Sequence, residues 1–146
     1  SKKDSLDISF APYNAINNTS TDMFIRYFDY LHNCFYDYAS QWPFLRDEMG
    51  DFHIGIFNIQ KYNVGGHFKN PHTERSGFIS HYRYFAFMTY LNDVEDGGET
   101  VFPHFDVKIK PKKGRTLIWP SDWTHMHYGD IVGSEKYIIT GWIERH

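Results

Sequence analysis

The sequence predicts a mainly β fold, a sandwich or barrel of short strands supported by one N-terminal α-helix. Three observations predict it: an early stretch with helical spacing of apolar residues, a switch to two-residue alternation after it, and then short apolar runs at near-regular intervals between Pro and Gly. A length of 146 residues at 41% hydrophobic and 19% aromatic content fills one core and falls short of two. A single domain over 1–146 is therefore expected, with helical support over about 19–45 and the β core over about 52–146.

Residues 1–18 are polar with isolated apolar positions at Leu6, Ile8 and Phe10, then Pro12 and the pair Asn17-Asn18, which reads as a lead-in with room for one short strand. From Thr21 to Trp42, Phe24, Phe28, Leu31, Phe35, Tyr38 and Trp42 recur at steps of three and four. Thr19, Ser20 and Thr21 are available as caps and Pro43 as a stop, so one amphipathic helix packed on a sheet is expected. Phe52 to Tyr62 alternates in the strand manner until Gly65-Gly66 breaks it. Tyr84 to Leu91 is nearly continuous in apolar residues and predicts a strand buried on both faces. After turn chemistry at Asn92-Asp93 and Asp96-Gly97-Gly98, short strands are expected near Glu99 to Phe102, Val107 to Ile109, Thr116 to Trp119 and Tyr137 to Ile143.

The charge balance bounds the partners. A net charge of -3, with Lys and Arg scattered, gives no footprint for nucleic acid or an anionic membrane. No run approaches the roughly 18 apolar residues of a membrane span, and the first residues lack the apolar core of a signal peptide, so a soluble protein is expected. Cys34, the one cysteine, cannot close an internal disulfide, which best matches a cytoplasmic setting. The sequence sets no oligomeric state.

The chemistry concentrates in Tyr62 to Glu74, which ends in His72-x-Glu74. Side chains two apart on an extended strand share a face. An imidazole and a carboxylate on one face are two thirds of the facial triad that holds non-heme Fe(II) and leaves coordination positions open. The missing histidine has two candidates, His125 and His127, which face the same way on a strand, so spacing alone does not choose. Lys136, about ten residues on, fits a site that binds a metal together with an anionic cosubstrate. Of the nine histidines, His32, His53 and His146 carry no neighbouring signal and are expected to be ordinary, while His67, His81 and His104 lie nearer the site in sequence.

These residues stand in an order that resembles the 2-oxoglutarate and Fe(II)-dependent dioxygenases, in their prolyl 4-hydroxylase-like branch, which includes small phage and bacterial members. The resemblance runs from about Phe52 to Ile143. It rests on Tyr62-x-x-Gly65 ahead of His72-x-Glu74, Arg83 leading into Tyr90-Leu91-Asn92-Asp93-Val94, Gly97-Gly98-Glu99-Thr100-Val101-Phe102-Pro103, Pro111-x-x-Gly114, His127-x-Gly129 and Lys136. It implies a double-stranded β-helix (jelly-roll, cupin-like) core. It also implies metal ligation by His72, Glu74 and His127, the His-x-Gly context favouring His127 over His125. Lys136 would anchor the far carboxylate of 2-oxoglutarate, with Thr140 beside it and the hydroxyls of Tyr62 and Tyr90 in contact. Arg83 and Trp142 become wall or support residues and candidates for substrate contact. Two departures stand out: glutamate where the family usually has aspartate, and one extra residue near Asn70.

What the resemblance implies is Fe(II)- and O2-dependent oxidative decarboxylation of 2-oxoglutarate to succinate and CO2, with hydroxylation of an unactivated C–H. Ascorbate is a further cofactor candidate. A prolyl or other residue in a peptide or protein is the leading substrate, a free amino acid the smaller alternative, and Asp51 to Gly66 with His67 to Tyr82 the expected approach. A cupin-type barrel using the same three residues for Zn or for ligand binding is the alternative. A purely structural interaction domain would bind no metal.

Overall fold

The apolar spacing after Thr21 becomes α1 (Thr21–Ser40) followed by a short α2 (Pro43–Glu48) in the computed structural model, which describes residues 2–12 and 21–146. Pro43 was expected to stop a helix. The first helix does end ahead of it, at Ser40, and Pro43 also opens the second one, because its missing N–H costs nothing at a first-turn position and its fixed φ suits the helix. The capping expected of Thr19 and Ser20, the Thr21 side chain and the pair Asn17-Asn18 lie outside the described residues.

The strands follow in chain order: β1 (Leu6–Phe10), β2 (His53–Tyr62), β3 (Phe68–His72), β4 (Arg83–Tyr90), β5 (Thr100–Phe102), β6 (Val107–Ile109), β7 (Thr116–Pro120), β8 (His127–Gly129) and β9 (Lys136–Glu144). They form two antiparallel sheets, β1-β2-β9-β4-β7 and β3-β8-β5-β6. This is the mainly β, jelly-roll architecture with a supporting helix. Asp51 to Gly66 is not an open approach segment. Most of it is β2, hydrogen-bonded along both edges to β1 and β9. No helix among the described residues is long and apolar enough to cross a membrane.

β9 sits at the middle of the larger sheet, and its alternation divides the molecule. Ile139 and Ile143 face α1, where Phe24, Leu31, Phe57, Phe85 and Phe87 close the largest apolar cluster. Lys136, Ile138, Thr140 and Trp142 face the smaller sheet and line a cavity between the two. Gly141 is required on the helix side. A Cβ there would lie 2.7 Å from Phe87 Cζ and 2.8 Å from Phe57 Cβ, inside contact distance of two side chains with no exposed surface. Gly141→Ala is therefore expected to destabilise the fold by about 1–3 kcal/mol. Urea denaturation checks this, and an unchanged midpoint would show that the phenylalanines yield at no cost.

Candidate metal centre

β3 ends at His72 and β8 begins at His127, and the antiparallel register places the two directly opposite each other. Cross-strand partners project from one face at the closest spacing a sheet allows, so no sequence proximity is needed. The two rings lie 4.4 Å apart between centroids. Glu74 carries Oε1 to 3.6 Å from His72 Nε2 and 3.1 Å from His127 Nε2. Donors each about 2.1 Å from one octahedral ion and at right angles to each other stand about 3 Å apart. The set fits one face of an Fe(II) ion once the His72–Glu74 separation contracts by about 0.6 Å.

Backbone carbonyls two residues upstream aim both imidazoles. His72 Nδ1 is 2.9 Å from the Asn70 carbonyl and His127 Nδ1 is 3.0 Å from the His125 carbonyl. A carbonyl only accepts, so each Nδ1 carries a proton, and each Nε2 is the ring atom turned toward Glu74, donating to the carboxylate and available to a metal once its own proton is displaced. His125 thus contributes a backbone oxygen, while its ring packs on Phe105 and takes no place in the triad. The extra residue near Asn70 belongs to a bulge. β3 runs from Phe68 to His72 while β8 covers the same span from Gly129 to His127. Pro71, which cannot donate to a ladder, sits inside it. A bulge re-aims the side chains that follow it, and those are His72 and the longer Glu74.

The second Glu74 oxygen is held too. Trp142 Nε1 donates to Oε2 at 2.8 Å, and the Arg83 guanidinium lies 3.6 Å from the centre of the Trp142 ring. Burial by itself would raise the Glu74 carboxyl. Hydrogen bonds from His127, His72 and Trp142 outweigh it and hold the group well below the usual carboxylate range. Trp142→Phe keeps the packing and removes the donor, so Fe(II) affinity is expected to fall by roughly 10- to 100-fold. Titrating Fe(II) against turnover measures this, and an unchanged half-saturation point would reduce Trp142 to wall packing.

The cavity beside the three donors has a volume of about 130 Å³, the scale of a small polyfunctional acid. At its other end Lys136, 3% exposed, donates from Nζ to the Gly98 carbonyl at 2.9 Å and sits 4.6 Å from the Tyr62 ring centre. No carboxylate pairs with it among the described residues. Burial pushes its ammonium down to about 8, while Glu99 and Asp130 pull the other way. A buried cation with one carbonyl and one ring for company is suited to an anionic ligand.

Thr140 lines the same cavity with its hydroxyl donating to the Phe87 carbonyl, and the Tyr62 hydroxyl donates to Gln60. Tyr90 stands apart. It is fully buried outside the lining, its hydroxyl 2.5 Å from Thr100 Oγ1, so Thr100 presents the polar atom there. Arg83 is also outside the lining and acts on Trp142, and its Nη1 reaches the Glu74 carbonyl at 3.4 Å. His67, His81 and His104 contribute nothing to the lining.

Sequence reading missed Gln60, Thr100 and the carbonyls of Asn70, His125 and Gly98. Thr100 stood inside the Gly97–Pro103 motif with no role given to it, and Gly98 carried a signal only for a turn. Its φ of 75° is one that side chains rarely adopt, and this conformation delivers the carbonyl to Lys136.

The family model of the 2OG-Fe(II) oxygenase superfamily matches residues 57–144. Probable prolyl 4-hydroxylase 9 of Arabidopsis thaliana is 32% identical over 118 residues, which cover 62% of this chain and 41% of that protein. Prolyl 4-hydroxylase subunit alpha-2 of Gallus gallus is 38% identical over 71 residues, 44% of this chain and 13% of that one. The chain thus spans less than half the length of these relatives. A viral collagen prolyl hydroxylase from Paramecium bursaria Chlorella virus-1 superposes with a TM-score of 0.66 at 23% identity, over 98% of this chain and 80% of that one. A Pseudomonas putida prolyl-4-hydroxylase does so with a TM-score of 0.71 at 21% identity, over 99% and 73%.

Proposed function

The chain belongs to the 2OG-Fe(II) oxygenase superfamily, and from that premise we propose that it is an Fe(II)- and 2-oxoglutarate-dependent hydroxylase acting on a prolyl residue of a peptide or protein. One observation carries the reading: three metal donors and a buried lysine without a carboxylate partner converge on one cavity. Fe(II) with 2-oxoglutarate and O2 supplies the oxidising power, with ascorbate as a candidate reductant. The protein supplies placement. His72, Glu74 and His127 would hold the Fe(II), and three protein donors would leave coordination positions for further ligands. Lys136 fixes the far carboxylate of the cosubstrate and so sets which way the keto acid enters.

The aromatic walls serve the same chemistry by keeping water out. Phe68 stacks on His72 at 3.9 Å between ring centres, and Trp119 meets His127 at 4.9 Å. The reading of a polypeptide substrate is supported by exposed apolar residues in the segments that follow Glu74 and precede His127. Phe78, Ile79 and Trp123 are 88%, 83% and 77% exposed on two short turns, and the Arg75–Asp122 ion pair ties the segments carrying those turns together. Exposed apolar groups on loops adjacent in sequence to the metal donors suit contact with an extended chain.

The test is succinate release from 2-oxoglutarate. Slow turnover is expected with Fe(II) alone, faster turnover with proline-containing peptides, and no stimulation by free proline. Turnover that runs equally well with Zn(II), or none with Fe(II), sinks the oxygenase reading. Stimulation by a free amino acid and not by peptides keeps the oxygenase and replaces the substrate.

A further inference from the structure

We propose that the chain carries a second divalent-metal site, of the imidazole-preferring Zn(II) class, formed by His53, Glu144 and His146. It is separate from the His72–Glu74–His127 centre and shares no residue with it.

Strand register creates the site. His53 on β2 pairs directly with Glu144 on β9, and His146 follows two residues on, so all three side chains project from one face of the larger sheet. Glu144 Oε2 lies 3.8 Å from His53 Nε2 and 3.6 Å from His146 Nε2. Donors about 2.1 Å from a tetrahedral ion stand roughly 3.4 Å apart, so an ion can be seated with small adjustments of two exposed imidazoles. Water would complete the coordination on the open side.

Glu144 supplies the independent reason to expect a cation. It is 9% exposed, its charge partners are the two imidazoles, both beyond hydrogen-bond distance, and among the described residues no lysine or arginine forms an ion pair with it, its register partner Arg83 on β4 lying instead against the Trp142 ring. A largely buried carboxylate with no hydrogen-bond donor and no lysine or arginine ion pair is suited to a cation that reaches it from its remaining open side. The backbone accommodates it by design of sequence, since a Cβ at Gly55 would collide with the Glu144 carboxylate.

The imidazoles are held in place as well. His146 is stacked between His53, 4.9 Å away, and Tyr82, 5.0 Å away. The neighbouring Arg145 donates its backbone N–H to the Tyr82 carbonyl at 2.9 Å and its Nε to the Gly50 carbonyl at 3.0 Å. The residues that present His146 are therefore anchored at two points.

Zn(II) titration of tag-free, metal-free protein against a chromophoric chelator tests this. His53→Ala is expected to lower the stoichiometry by one equivalent whatever the first centre takes up, because His53 is half exposed and outside that centre. The His72→Ala/His127→Ala double variant is expected to keep one equivalent and to lose it when His53→Ala is added. Unchanged stoichiometry in His53→Ala, or no Zn(II) bound by the double variant with an unchanged circular dichroism spectrum, overturns the proposal.

Discussion

Glu74→Ala is expected to abolish Fe(II)-dependent succinate release, by about 1,000-fold or more, equivalent to about 4 kcal/mol of lost transition-state stabilisation. Among the described residues Glu74 is the one carboxylate paired with both imidazoles, and its Oε1 closes the triangle at 3.1 and 3.6 Å. Its removal leaves a dicationic ion on two neutral rings and strips the Trp142 indole of its acceptor. Glu74→Gln separates charge from shape. It preserves one oxygen and the approximate volume, so most of the loss should persist if the negative charge on the metal matters, and activity should return if Glu74 only fills space. Glu74→Asp tests the bulge in β3. With the backbone set for the longer side chain, aspartate is expected to fall short and to weaken Fe(II) binding, although it keeps the charge. Fe(II) titration of all three variants decides; full activity in Glu74→Ala would remove the metal centre from the mechanism.

Lys136→Met is expected to have two effects of opposite sign. The ammonium is buried, and burial lowers its pKa from 10.5 to about 8. Between those values the unfolded chain holds a proton that the folded one has released. Stability therefore rises with pH across that window, and at pH 7 the folded state bears the full penalty, about 3 kcal/mol. Methionine removes the penalty at the cost of the Gly98 hydrogen bond and the Tyr62 contact, each about 1 kcal/mol. A net gain of about 1 kcal/mol in stability should accompany a loss of 100-fold or more in affinity for 2-oxoglutarate, whose far carboxylate would meet an apolar wall. On the proposed reading the same proton governs binding in the wild type, and kcat/KM for 2-oxoglutarate is expected to decline above about pH 8 as free enzyme loses the cation. Thermal melts and cosubstrate kinetics on one preparation separate the roles. A lower melting temperature with unchanged KM would make Lys136 a structural residue.

What the sequence by itself determined are the features written in local spacing. The helical period after Thr21, the alternation into Tyr62 and the Pro and Gly punctuation beyond Leu91 each depend on residues a few positions apart. Local backbone geometry decides them before any packing. The ordered motifs from His72-x-Glu74 to Lys136 carried the family and its chemistry in the same way. Even here the local reading was incomplete, since Pro43 lies past the end of α1 as expected and also begins α2.

The tertiary structure alone decided everything that depends on register. His125 and His127 are equivalent by spacing. Pairing of β3 with β8 puts His127 opposite His72 and turns the His125 carbonyl into its support. Tyr90 and Thr100 exchange places at the cavity for the same reason. His53 and His146, unremarkable as letters, meet at Glu144 only because β2 and β9 are neighbours in one sheet. Strand pairing is a contact between distant parts of the chain, fixed by burial of the whole sheet, and a local pattern holds no record of which residue lies across the ladder.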